Sequence, residues 1–158
     1  MVLIVPSGKV HSIACLAVAG VSASATFLVG GEWTQAVAMG AGAVSGILLS
    51  PDLDVDSGHI GDAIIRKYFG LIVEKIIDVI VFPYRKICKH RGFLSHSPIL
   101  STLIRLLYLS IWFGPIVYWL GWWKWHPWMA WWVVGLMLSD AVHGALDWAD
   151  KVLFKGRL

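Results

Sequence analysis

The chain has 158 residues, of which 58% are hydrophobic; the mean hydropathy is +0.71 and the net charge is +3. This length fits one domain, and the hydropathy exceeds what a soluble core requires, which excludes an ordinary soluble globular protein. Ten Trp point the same way, because indole favours the membrane–water interface. The expected fold is all-α and polytopic, with residues 1–158 forming a single membrane domain.

Only Lys9 precedes the first apolar run, so the N-terminus has no signal-peptide layout, and the run is long enough to remain as an anchor. About 20 apolar residues cross the hydrocarbon. Residues 12–30 meet this with no charged side chain, and His11 stands at their start. Cys15 lies in this run and Cys88 in a basic loop, so neither a disulfide nor a zinc knuckle is expected. Residues 34–50 form the second expected span, short but uncharged and rich in Gly and Ala. The tight connector Gly31-Glu32-Trp33 makes the two an antiparallel hairpin, and Gly42 and Gly46 have the GxxxG spacing of close helix packing.

Ser50-Pro51-Asp52-Leu53-Asp54 closes the second run. In an extended segment Asp52 and Asp54 point the same way, since the side-chain period is two; Asp56 continues the alternation and reads as a solvated acid. Residues 60–82 mix isoleucines with Arg66, Lys67, Glu74, Lys75 and Asp78, and the uncharged stretch Phe69 to Val73 is too short to cross. An amphipathic helix on the membrane surface is expected, inside a loop covering residues 51–98.

His90 and His96 are six apart and share no helical face, but a turn at Gly92 lets both converge on one ion. Ser97 and Pro98 suit the N-cap and first position of a third span over residues 99–120, which contains Arg105. An aromatic turn from Trp119 to Trp132 forms an interface belt, and the fourth span covers residues 128–148. Within it, Asp140, His143 and Asp147 stand at i, i+3 and i+7, one stripe over two turns. Asp140 follows about 12 residues of span, roughly 18 Å at 1.5 Å each, so it is recessed. Such a carboxylate faces a cavity or a partner; a metal is expected, since three candidate ligands share the stripe, with pairing to Arg105 as the alternative.

Eleven of the thirteen Lys and Arg fall at the termini or in the long loop, and the two short opposite loops hold only Lys124. The positive-inside rule then puts both termini in the cytoplasm, in a multi-pass protein of the inner membrane. On that count His11, Asp52, Asp54, His90, His96, Asp140, His143 and Asp147 gather at one membrane face. His126 lies on the other, and His59 sits in the polar loop.

The motifs Pro-Ser-Gly-x-x-His, Ser-Pro-Asp-Leu-Asp, Pro-Tyr-Arg-Lys, His-Arg-x-Phe-Leu-Ser-His and a late Asp-x-x-His-x-x-x-Asp resemble those of a bacterial family of metal-binding integral membrane proteins. The likeness runs from Pro6 to Asp147. More loosely, the chain is similar to inner-membrane metal-dependent hydrolases regulated by the SOS repressor, which share the Pro-Asp-Leu-Asp element. The resemblance implies ligand roles for His11, Asp52, Asp54, His90, His96, Asp140, His143 and Asp147.

The function expected is metal-dependent hydrolysis of a phosphoester or lipid-linked substrate at the cytoplasmic membrane surface. Asp54 is the expected general base, and Arg91 and Arg105 the candidates for holding an anionic group. Zinc is the expected ion, with manganese and iron as alternatives and one or two ions accommodated. A metal-binding or sensing protein without turnover is the alternative; ion transport ranks below both, because the spans carry few polar residues near the midplane. The bilayer is the expected partner, nucleic acid is not, and the oligomeric state is open.

Overall fold

A computed structural model describes residues 8–54, 60–88, 97–122 and 124–154. The expected site residues His90, Arg91 and His96, together with Asp56 and His59, lie outside these. The described chain is all-α: α1 (Gly8–Leu28), α2 (Trp33–Ser45), a 3-10 turn (Pro51–Asp54), α3 (Ile60–Ile87), α4 (Pro98–Trp119) and α5 (Trp128–Phe154).

Three of these helices are long and apolar enough to cross a membrane, over Lys9–Leu28, Ile99–Trp119 and Trp128–Ala149. Each lacks an interior ion except Arg105 in α4 and Asp140 and Asp147 in α5. Hydroxyls inside α1 return their hydrogen to the helix itself, as Thr26 Oγ1 does to the Ser22 carbonyl at 2.8 Å. Large apolar side chains point outward, Leu28 and Leu107 among them, as a helix facing lipid rather than water allows.

The second expected span is not of that length. As a helix it has 13 residues, roughly 20 Å at 1.5 Å per residue against about 30 Å of hydrocarbon. It stops because the Ser45 hydroxyl donates to the Gly42 carbonyl at 2.6 Å, and residues 46–49 tighten into turns. The chain then enters the Pro51–Asp54 turn, where the Ser50 hydroxyl accepts from the Asp52 N–H at 3.1 Å.

The α1–α2 connection is a helix stop followed by a helix start. Gly30 has φ +88°, the left-handed conformation that closes α1, and the Gly31 N–H reaches back to the Thr26 carbonyl at 2.9 Å. Glu32 and Gln35 then form a reciprocal capping box on α2. Gly121, φ +71°, ends α4 in the same way, with the Trp122 N–H on the Val117 carbonyl at 3.0 Å.

Backbone contact sets the helix directions. A Cβ on Gly42 would stand 1.9 Å from the Trp132 carbonyl oxygen, and one on Gly135 would stand 2.0 Å from the Met39 carbonyl oxygen. A Cβ on Gly46 would meet the Ser139 hydroxyl at 2.3 Å. Thus α2 runs parallel to α5 with almost no side chain between them. α1 runs antiparallel to α5: Cys15 faces Ser139 and His11 faces Asp147. The start of α1, the end of α2 and the end of α5 therefore share one end of the bundle. Thr102 and Arg105 on Asp140 put the start of α4 at that end too.

α3 begins at Ile60 as expected but runs to Ile87, past residue 82 and through Pro83. Tertiary packing carries it on, since Tyr84 and Cys88 bury with Val81 and with Leu53 of the 3-10 turn. It is also bent. Gly70 has φ 86° and ψ 170°, a conformation open essentially to glycine. Arg66 and Glu74, about 12 Å apart along a straight helix, pair across the bend at 2.7 Å.

The glycine contacts can be tested by one methyl group. Gly42→Ala or Gly135→Ala should force α2 from α5 and lower stability by about 3 kcal/mol. Gly20→Ala, where no atom lies within 4 Å, should leave stability unchanged or raise it by up to about 1 kcal/mol. Thermal unfolding in detergent micelles measures both.

Candidate metal centre

Four side chains converge at the end of the bundle where α1 begins and α2 and α5 finish. His143 lies on the inner face of α5 and is 3% exposed. His11, one turn into α1, stacks on it with ring centroids 3.9 Å apart and planes at 22°. Asp147, one turn beyond His143, stands between the two imidazoles: Oδ1 is 3.4 Å from His11 Nε2 and Oδ2 is 3.5 Å from His143 Nε2. Asp52 enters from the 3-10 turn, with Oδ2 3.3 Å from His143 Nε2.

These spacings exceed the best N–H···O separation of about 2.9–3.0 Å. Ligand atoms at about 2.0–2.2 Å from a tetrahedral zinc stand about 3.3–3.5 Å apart. One ligand atom each from His11, His143 and Asp147 fall within 4.8 Å of one another. Two imidazoles and one or two carboxylates on facing helices are a donor set that a borderline divalent ion accepts. Asp52 is the most exposed of the four at 24% of its side chain, so the arrangement is closed toward the helices and open at the turn.

Asp140 has different company. Its Oδ2 accepts from the Thr102 hydroxyl and from Arg105 Nη2, and all three residues are buried, Arg105 completely. It stands one turn deeper than His143, joined to α4 rather than to the His–Asp group. The structure thus places Asp140 with Arg105, where the sequence reading expected a metal ligand, and the expected substrate-holding Arg105 is fully buried on it. At the depth of Asp140, on the side of α1, the Ser139 hydroxyl donates to Cys15 Sγ at 2.9 Å, a pairing with no signature in the sequence. Thr102 could have been found: it lies three residues before Arg105, on the same face of α4.

Of the other expected residues, Asp54 closes the 3-10 turn two positions after Asp52, and its side chain lies outside what is described. His90, Arg91 and His96 lie outside the described residues altogether. His126 stacks with Trp128 at the opposite end, ring centroids 6.0 Å apart, among the exposed Trp119, Trp122 and Trp125.

Three helices long and apolar enough to cross a membrane, with a buried His/Asp cluster at one end, are compatible with a membrane protein and offer the donor set that a metal ion takes. The chain belongs to the family described as "Uncharacterized metal-binding protein (DUF2227)", which it matches over residues 6–130. No curated protein and no solved structure matches it. The matched stretch contains His11 and Asp52 but ends before His143 and Asp147, so the latter two join the centre on geometry alone.

The deeper pair can be separated from the centre above it. Arg105→Leu should strand a buried carboxylate and lower stability by about 3–5 kcal/mol, whereas Arg105→Leu combined with Asp140→Leu should recover most of that. Unfolding in micelles gives both values, and a double variant no better than the single would contradict a simple ion-pair role.

Proposed function

We propose that His11, Asp52, His143 and Asp147 hold one divalent ion, zinc, and that the centre hydrolyses a phosphoester, in particular a lipid-linked one, at the cytoplasmic surface of the inner membrane. The observation that supports the metal assignment is that ligand atoms of His11, His143 and Asp147 all lie within 4.8 Å of one another, with Asp52 3.3 Å from His143 Nε2. The match to a metal-binding family supports it independently. His90 and His96, from the loop before α4, are proposed to stand at the rim of the centre, outside the four-ligand set of this ion.

When bound, such an ion supplies a water of lowered pKa and polarises the phosphoryl oxygen. The residues of the chain do the rest. Asp147 holds both imidazoles with Nε2 toward the same space, and the stacking of His11 on His143 fixes their planes. Beneath them Cys15 and Ser139, both buried, close the space between α1 and α5. Asp54, on the open side, is the proposed base that takes the proton of the attacking water. Arg91 is proposed to hold the anionic group; Arg105, fully buried on Asp140, is not.

The proposed topology has four passes, with α2 and its turns completing the second, and both termini cytoplasmic. The charge bias supports it, since Lys124 is the only Lys or Arg in the two short loops. The shared bundle end supports it too. Reporters fused after Gly31 and after Lys124 should be active outside the cytoplasm, and those in the 51–98 loop or at the C-terminus inside. Loop 51–98 outside with both termini inside would contradict a single-face site.

A non-catalytic metal-binding role is the second reading, favoured by the burial of both histidines, which would let an ion clip α1 to α5. Elemental analysis of the purified protein should find about one divalent ion per chain. His143→Ala and Asp147→Asn should lose it, while His126→Ala should keep it. Metal-loaded protein should hydrolyse members of a phosphoester and phospholipid panel. Retained metal in both site variants would remove the ligand assignment, and bound metal without turnover would favour the clip.

A further inference from the structure

A cavity of about 320 Å³ opens beside the metal centre, within the size range of small-molecule sites. Its wall on one side is α3, folded back at Gly70 so that Ile65 and Phe69 of the first half face the same space as Val73 and Ile77 of the second. Opposite stand Leu109 and Phe113 of α4, which belong to a stretch long and apolar enough to cross a membrane. Only Asp62 and Arg85 among its lining residues carry charge. Two of the N–H groups of Arg85 are held by the protein, one on the Leu53 carbonyl and one on Asp78, each at 3.2 Å.

The position of Leu53 gives the cavity its meaning. Leu53 lines it, and the residue before, Asp52, reaches His143 in the metal centre. An occupant lying along α3 and α4 thus ends one residue from the proposed ligands. We infer that the groove seats the hydrocarbon chain of the site's own substrate, a membrane phospholipid whose phosphoester reaches the Asp52–His143 cluster. This rests on the hydrolase reading for the identity of the head, not for the chain. The occupant must be apolar because a chain with polar groups would leave them unpaired against Phe69, Val73, Leu109 and Phe113. A lipid chain also reaches the groove without crossing water, since one wall is the surface of a spanning helix. Its gain over bulk lipid is packing on several sides rather than transfer from water.

The test is photo-crosslinking of the full chain in nanodiscs with a phosphatidic acid that carries a diazirine on its acyl chain. Adducts should concentrate on Val73, Ile77 and Leu109, the half-buried residues of the groove, above those on Leu107 and Ile111, which face outward from α4. Leu109→Trp should reduce groove adducts to the level of those two, with metal content unchanged as the control for folding. Uniform adducts along α4 in the wild type would overturn the proposal, as would protein–protein crosslinks from a diazirine side chain introduced in place of Leu109, which would mean that a second copy fills the groove. Turnover of phosphatidic acid is scored separately. Groove adducts without turnover keep the chain seat and remove the hydrolase; turnover with uniform adducts does the reverse.

Discussion

The site depends on the backbone contact between α2 and α5. At Gly42 and Gly135 the two helices approach until a single Cβ would collide with a carbonyl oxygen. That contact leaves α2 no freedom to slide, because any displacement drives other side chains into the same gap. It delivers the chain after Ser50 to the level of His143, where Asp52 meets it. Within a bilayer there is little hydrophobic force between helices, so small residues and close van der Waals contact decide the register. α1 is aligned by the same bundle, and its first turn brings His11 over His143.

Below the centre, polarity continues in layers. Cys15 and Ser139 lie one turn beneath the histidines, and the Thr102, Arg105 and Asp140 group ties α4 to α5. Buried charge of this kind is costly in a spanning helix unless paired. The pairing of Asp140 with Arg105 leaves the shallower His143 and Asp147 as the members of the stripe that face α1 and the turn. One helix face thus serves two neighbours, and depth decides which residue meets which.

Much of this was legible in the sequence, and the rest was not for identifiable reasons. The helices α1, α4 and α5 follow from apolar length broken only by Arg105, Asp140 and Asp147, and the stripe Asp140, His143, Asp147 follows from helical period. The stripe gave no way to tell which of its members met Arg105, because that depends on how far α4 is advanced along α5. The helical end of the second run at Ser45 depended on a serine hydroxyl competing for a backbone carbonyl, which hydropathy does not register. The bend in α3 could be suspected at Gly70, but only the Arg66–Glu74 pair fixes its direction. The extension through Pro83 reflects burial of Tyr84 and Cys88 against Leu53, a contact distant in sequence.

The central claim is that His11, Asp52, His143 and Asp147 form one coordination sphere. X-ray absorption at the zinc edge of the metal-loaded, full-length protein tests it most directly. The expected first shell is two imidazole nitrogens with the remainder oxygen, at about 2.0–2.2 Å, with no sulfur. A sulfur shell at about 2.3 Å, which would bring in Cys15 or Cys88, would contradict it. So would an all-oxygen shell without the outer-ring scattering of histidine.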